Sequence, residues 1–263
     1  MPRKIVFIPL LILIISLHCS HERGLEPTRS GLSGVVSFNK TWPEMTDQVM
    51  VVAALKFPPT TISDIVTSEP LPLFVDKADF VIWTPPQTFA AVGVVWKEKN
   101  QPWDVTNIIG IYFPTDNHFA PGSVTIPDKN TLVDGIEIQA DLSKARRKVS
   151  SAIEGTLQAT GVWPAEATQV LMIASPSILP TSLLDITFGI PIPAGFDSIH
   201  YSLSLQPGVY RLIGALLVEK NKSIGIESIK AIYKKKPTDF LPGSVALPTD
   251  STVVANVNLT LEF

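Results

Sequence analysis

The chain has 263 residues, 45 % of them apolar and 17 % charged, with a net charge of −3 and one cysteine. Such a length suits about two globular domains, and the slightly acidic balance argues against a nucleic-acid partner, which would need a basic face for phosphates. Because Cys19 is the only thiol and the last two histidines, His118 and His200, lie far apart, a disulfide, a thiolate metal site, a catalytic cysteine and a histidine metal cluster are all excluded downstream.

In chain order, Arg3 and Lys4 precede an apolar run from Ile5 to Leu17 and then Cys19. As a helix that run spans about 20 Å, short of the roughly 30 Å of a bilayer core but suited to a signal-peptide core. Residues 1–19 are therefore expected to direct export. The stretch Ser16-Leu17-His18-Cys19 resembles a bacterial lipoprotein signal, which implies lipidation of Cys19, a membrane anchor and, with Ser20 following, an outer-membrane address. His18 departs from that pattern, which prefers a small residue there. Residues 20–31 are polar and aperiodic and are expected to act as a tether.

From residue 32 onward the chain repeats itself. Residues 32–142 align without a gap on 153–263, an offset of 121 positions, with about 29 of 111 positions identical. Shared positions include Gly34/Gly155, Trp42/Trp163, Asp64/Asp185, Asp76/Asp197, Tyr112/Tyr233 and Phe119/Phe240, with the runs Glu98-Lys99-Asn100 and Pro121-Gly122-Ser123-Val124 recurring intact. Two domains, 32–142 and 153–263, joined by a basic linker over 143–152, are the expected plan. Each domain should carry about seven strands. In the first copy these are Leu32–Phe38, Val49–Lys56, Phe80–Thr84, Phe89–Lys97, Ile108–Phe113, Gly122–Ile126 and a last segment in which Ile136, Ile138, Ala140 and Leu142 alternate with polar residues. Such alternation marks a strand with one wet and one buried face. The proline-rich stretches from Phe57 to Asp76 and from Ser177 to Asp197 are expected to be long loops with a helical turn near Ile62–Val66 and Leu183–Thr187. At Pro121-Gly122 and Pro242-Gly243 a type II turn with glycine at positive φ is expected.

The Gly-x-Val start, the Trp-Pro pair and the segment Tyr201-Ser-Leu-Ser-Leu-Gln-Pro207-Gly208-Val-Tyr210 resemble carboxypeptidase regulatory-like, or prealbumin-like, domains. That resemblance implies two tandem seven-stranded Greek-key, transthyretin-like β-sandwiches that bind or display rather than catalyse.

Candidate functional residues are few. Trp42 and Trp163 read as core caps, since both copies keep them. Trp83, Trp96 and Trp103 belong to the first copy alone, and Trp96 with Trp103 is the candidate ligand surface, for a glycan or an envelope protein. Glu98-Lys99-Asn100 reads as a hairpin connection. The aspartates at 64, 76, 185 and 197 read as turn and cap residues, because calcium needs six or more oxygens. The run Lys144 to Lys148 reads as a solvated hinge. No nucleophile, dinucleotide or zinc motif occurs, so neither catalysis nor a cofactor is expected. A binding or spacer lipoprotein is the leading expectation, with a glycan- or protein-binding lipoprotein and an accessory part of an envelope hydrolase as alternatives. N-x-Ser/Thr triplets at Asn39, Asn221 and Asn258 read as incidental in a bacterial chain.

Overall fold

Period-two alternation becomes strand along the chain. The computed structural model describes residues 29–59, 62–220, 222, 224–236 and 238–263; the signal segment, Cys19, most of the tether and Asn221 lie outside them. The first half contains β1 (Gly31–Asn39), β2 (Thr46–Ala54), β3 (Ile65–Thr67), β4 (Lys77–Trp83), β5 (Thr88–Phe89), β6 (Ala91–Glu98), β7 (Ile108–Ile111), β8 (Val124–Thr125) and β9 (Leu132–Asp141). The second contains β10 (Ala152–Thr160), β11 (Ala167–Ser175), β12 (Thr187–Phe188), β13 (Ile192–Pro193), β14 (Ser198–Ser204), β15 (Gly208–Tyr210), β16 (Leu212–Glu219), β17 (Ile229–Ile232), β18 (Val245–Leu247), β19 (Val253–Val254) and β20 (Leu259–Glu262). The expected helical turns are the 3-10 turns Ile62–Asp64 and Leu183–Asp185. Strands β1, β2, β4, β6 and β7 recur as β10, β11, β14, β16 and β17 at the same offset of 121.

Each half is an all-β sandwich. In the first, the layer β4-β1-β9 faces β3-β2-β6-β7, and the two layers form one seven-stranded sheet through a single pair, Gly110 opposite Ala140. Among the described residues, parallel contacts join the first strand of each half to its last segment, β1 to β9, and β10 to both β19 and β20. Between the layers lie Leu32, Val36, Phe80, Phe89, Val94, Trp96, Ile109 and Ile138 in the first half, and Ile153, Leu157, Val170, Tyr201, Ile213 and Leu261 in the second. Alternate positions of β4 follow that division: Ala78, Phe80 and Ile82 point inward, and Lys77, Asp79, Val81 and Trp83 outward.

Shared glycines mark close backbone approaches. A Cβ on Gly34 would lie 1.9 Å from the Ile136 carbonyl oxygen, and one on Gly155 2.1 Å from that of Val257. Only glycine fits where the parallel strands meet.

The halves differ at the seam. A Cβ on Gly110 would meet the Gln139 oxygen at 2.8 Å and Ala140 Cα at 3.1 Å; the corresponding residue is Ala231, and in the second half the two layers are separate sheets. The added methyl group accounts for the open seam.

Two expectations about turns need separate outcomes. Asn100 has φ of 62°, as a hairpin asparagine should. Gly122 and Gly243, by contrast, do not occupy the positive-φ region, so the type II turn is not formed. These glycines are needed for space: a Cβ would come within 2.5 Å of the Tyr112 ring and 2.8 Å of the Tyr233 ring. Their amides donate to the backbone oxygens of those same tyrosines, at 2.8 and 2.7 Å.

Candidate functional site

The residues that differ between the copies converge on a cleft of about 670 Å³ between the two halves. It is lined by the loop that follows β6, where Pro102 precedes Trp103, by the segment from Thr187 to Pro191 and by Arg146 to Val149. Phe57, Pro58 and Ile65 add apolar surface on the first-half side.

Local hydrogen bonds hold the Trp103 loop. Asp104 Oδ1 accepts from the Thr106 amide at 2.9 Å and from its hydroxyl at 2.6 Å. Next to it, the buried Asn107 clamps the connecting segment in both directions: its Nδ2 donates to the Arg146 carbonyl at 2.8 Å, and its Oδ1 accepts from the Arg146 amide at 3.0 Å. The Arg146 guanidinium donates to the Thr106 carbonyl. Burial draws its pKa below the ordinary value, while the charges of Asp104 and Tyr210 oppose that shift. Arg146 therefore touches both halves electrostatically.

Of the solvated hinge expected over Lys144 to Lys148, Arg147 and Lys148 are exposed, but the segment is attached on both sides. Lys144 Nζ bonds to Asp185 at 2.8 Å, Gln206 donates to the Arg147 carbonyl at 2.6 Å, Glu98 accepts from the Lys148 amide at 2.7 Å, and Ser150 donates to the Asp250 carbonyl at 2.9 Å. Charge alone suggested exposure, but backbone amides and carbonyls in this short stretch take their partners from both sandwiches. The second half is also fixed through Leu183, whose amide donates to the His118 carbonyl at 3.0 Å. At Asp185, burial raises the carboxyl pKa, but bonds from Lys144 and Thr181 outweigh it and the value lies below normal.

Trp96 and Trp103 part company. Trp96 is 0 % exposed and belongs to the first core, with its ring N–H bonded to Thr46 Oγ1 at 2.8 Å; it lies behind the cleft wall and offers no surface. Its inward direction follows from the pleat, because it shares a face of β6 with Val92 and Val94. Trp103 is half-buried on the wall itself. Trp83, on the edge strand β4, is 56 % exposed and away from this cleft. Trp42 and Trp163 are the expected caps, half-buried, with ring N–H groups donating to the carbonyls of Val75 and Phe196, each at 3.2 Å.

Sequence reasoning passed over the apolar residues that join the halves. Leu171, Ile173, Ile186, Leu216 and Ile224 form a third cluster on the outer face of the second sandwich, and Phe57 and Phe119 of the first half pack onto it. The available signal was the length of buried strand in β11, from Gln169 to Ser175, which is too apolar for a sheet with one wet face.

Three charged side chains of the cleft are engaged in scaffold bonds: Glu98 to the connecting segment, Asp104 to its own loop, Arg146 to Thr106. Among the described residues no group of three or more His, Asp, Glu or Cys side chains is placed to hold a metal ion.

No protein-family model matches the chain, and no curated protein matches it. Among solved structures, a streptococcal ancillary pilin is similar over 88 % of this chain and 69 % of its own at 10 % identity and a TM-score of 0.21. The minor pilin of Streptococcus agalactiae is similar over 88 % of this chain and 95 % of its own at 12 % identity and a TM-score of 0.22. Scores this low establish neither common ancestry nor a shared role.

Proposed function

We propose that this chain is a non-catalytic module of the bacterial cell envelope, lipidated at Cys19 and held to the outer membrane, whose two tandem prealbumin-like sandwiches (32–142 and 153–263, joined through 143–152) bind a partner in the cleft beside Trp103. The observation that carries it is the convergence in one cleft of the half-exposed Trp103, the proline-rich loop at Phe57 and the segment at Phe188, all positions where the two copies diverge. Clefts of roughly 300–1,000 Å³ with apolar walls and a few polar groups are where proteins take up small ligands or anchoring side chains. With Glu98, Asp104 and Arg146 committed to scaffold bonds, apolar contact rather than proton transfer is the chemistry on offer.

Two experiments test it. A fatty-acid probe should label the parent in cells and not Cys19→Ala; an unlabelled parent overturns the anchor. Crosslinking in the envelope should capture a partner, self or foreign, that Trp103→Ala loses; capture unchanged by that substitution overturns the role of the cleft. A second reading, a glycan ligand, is favoured by the half-buried indole of Trp103 on the cleft lining, since sugars stack on such faces. Soluble envelope polysaccharide that binds the parent by calorimetry and does not bind Trp103→Ala would support it.

A further inference from the structure

The repeat supplies a plug without a socket and a socket without a plug. In the second half, Phe119 from the first half packs against the apolar cluster that contains Ile186 and Ile224, as does Ile229. The same three positions in the first half are Ile65, Trp103 and Ile108, and these line the open cleft. The residue equivalent to Phe119 is Phe240, which is 95 % exposed, next to Leu241 at 62 %. None of the residues lining the cleft comes from the Phe240 loop of its own chain.

We infer that Phe240 and Leu241 of one copy insert into the Trp103 cleft of a second copy, giving a head-to-tail self-association. This rests on the proposed cleft reading and identifies its partner as another molecule of the same chain. Size allows it: one aromatic and one aliphatic side chain fit a space of about 670 Å³, and the buried ring would become a central apolar anchor of the kind that dominates interface energies. Because plug and socket are different surfaces, the contact is heterologous and does not close on itself as a two-fold dimer would; chains of molecules result unless the rotation happens to close a ring.

The test is sedimentation velocity on the full chain in detergent, over a concentration series reaching about 100 μM, the range in which an interface of modest size associates. The parent should pass from monomer to dimer and longer species. Phe240→Ser with Leu241→Ser, and separately Trp103→Ala, should each weaken association about 30-fold, as loss of a hot-spot residue does. The plug is solvent-exposed, so its substitution leaves the fold intact, and an unchanged melting curve verifies this for both variants. Mixing the two variants is decisive: one brings an intact socket and the other an intact plug, so dimers should return while longer species do not. A parent that stays monomeric throughout, a plug variant that associates like the parent, or a mixture that stays monomeric while the parent associates overturns the inference. If the parent is monomeric yet Trp103→Ala still loses an envelope partner, the cleft reading stands and self-association alone falls; if association survives Trp103→Ala, the cleft itself is not the socket.

Discussion

The two sandwiches are the same fold solved with different side chains, and the differences come in compensating sets. Trp96 in the first core is paired with Thr46, which receives its N–H; the second half has Leu217 and Ala167 at the equivalent positions, with neither donor nor acceptor. Gly110 closes the first sheet, and Ala231 leaves the second open. Tyr201 and Tyr210 stand where the first half has Phe80 and Phe89, and each hydroxyl has found a carbonyl, of Val257 and of Gln206. A core tolerates exchange when volume and polar partners change together, and not one at a time.

Substitutions that change one member of such a set should therefore be costly, and they rank as follows. Trp96→Ala should destabilise the first half by about 3–5 kcal/mol through the cavity left by a buried indole, read as a drop in urea midpoint; a loss below about 1 kcal/mol would contradict the packing described. Gly110→Ala should cost about 1–3 kcal/mol as an overpacked backbone contact, and amide exchange at Ala140 should speed up as the seam opens toward the second half's arrangement. Unchanged protection there would break the explanation of the seam.

Tyr201 titrates above the ordinary phenol range because it is buried and, second, because Tyr233 is near. A raised pKa means that the folded state favours the neutral phenol, so its contribution is intact below about pH 10 and is lost as pH rises beyond it. Tyr201→Phe, the residue the first half uses, should cost about 1 kcal/mol at neutral pH through the lost hydrogen bond and should reduce the alkaline fall in the second half's stability. An alkaline profile identical to the parent's would count against it.

The contact of Lys144 with Asp185 is part-exposed and should be worth about 0.2–1 kcal/mol. With its folded pKa lowered, Asp185 contributes above the normal carboxylate range and loses that contribution as pH falls through and below it. Asp185→Asn should blunt the acid sensitivity of protease cleavage in residues 143–152; equal sensitivity in the variant would remove the ion pair from the junction's support. The smallest effect belongs to Trp83→Ser, which imports Ser204: on an exposed face of an edge strand it should shift stability by no more than about 0.5 kcal/mol.

Periodicity and duplication made the strands legible, because a pleated strand writes its two faces directly into alternate residues and the second copy verifies each one. Reasons for individual residues were harder to read. Pro121-Gly122 has the composition of a type II turn, yet its glycine answers to a tyrosine ring across the sheet, a contact that local chemistry does not contain. Of two tryptophans seven positions apart, Trp103 follows Pro102 in a loop and is the better surface candidate in the sequence, while Trp96 lies on a strand whose inward face only the packing reveals. The basic connecting run was misjudged in part for a related reason: side-chain charge predicts what side chains do, and here the backbone of Arg146, Arg147 and Lys148 makes the attachments. That the divergent loops meet was legible in outline, but which of their residues face the cleft depended on tertiary packing.

The parallel contact of the first strand with the last sets an order of events during synthesis. β1 pairs with β9 about a hundred residues later, and β10 with β20 likewise; contacts this distant along a chain are slow to form. Neither sandwich can close until its final strand has left the ribosome, so a ribosome halfway through either half carries a chain with an unclosed sheet. Each half is thereby kept open longest at the two strands that will hold it shut.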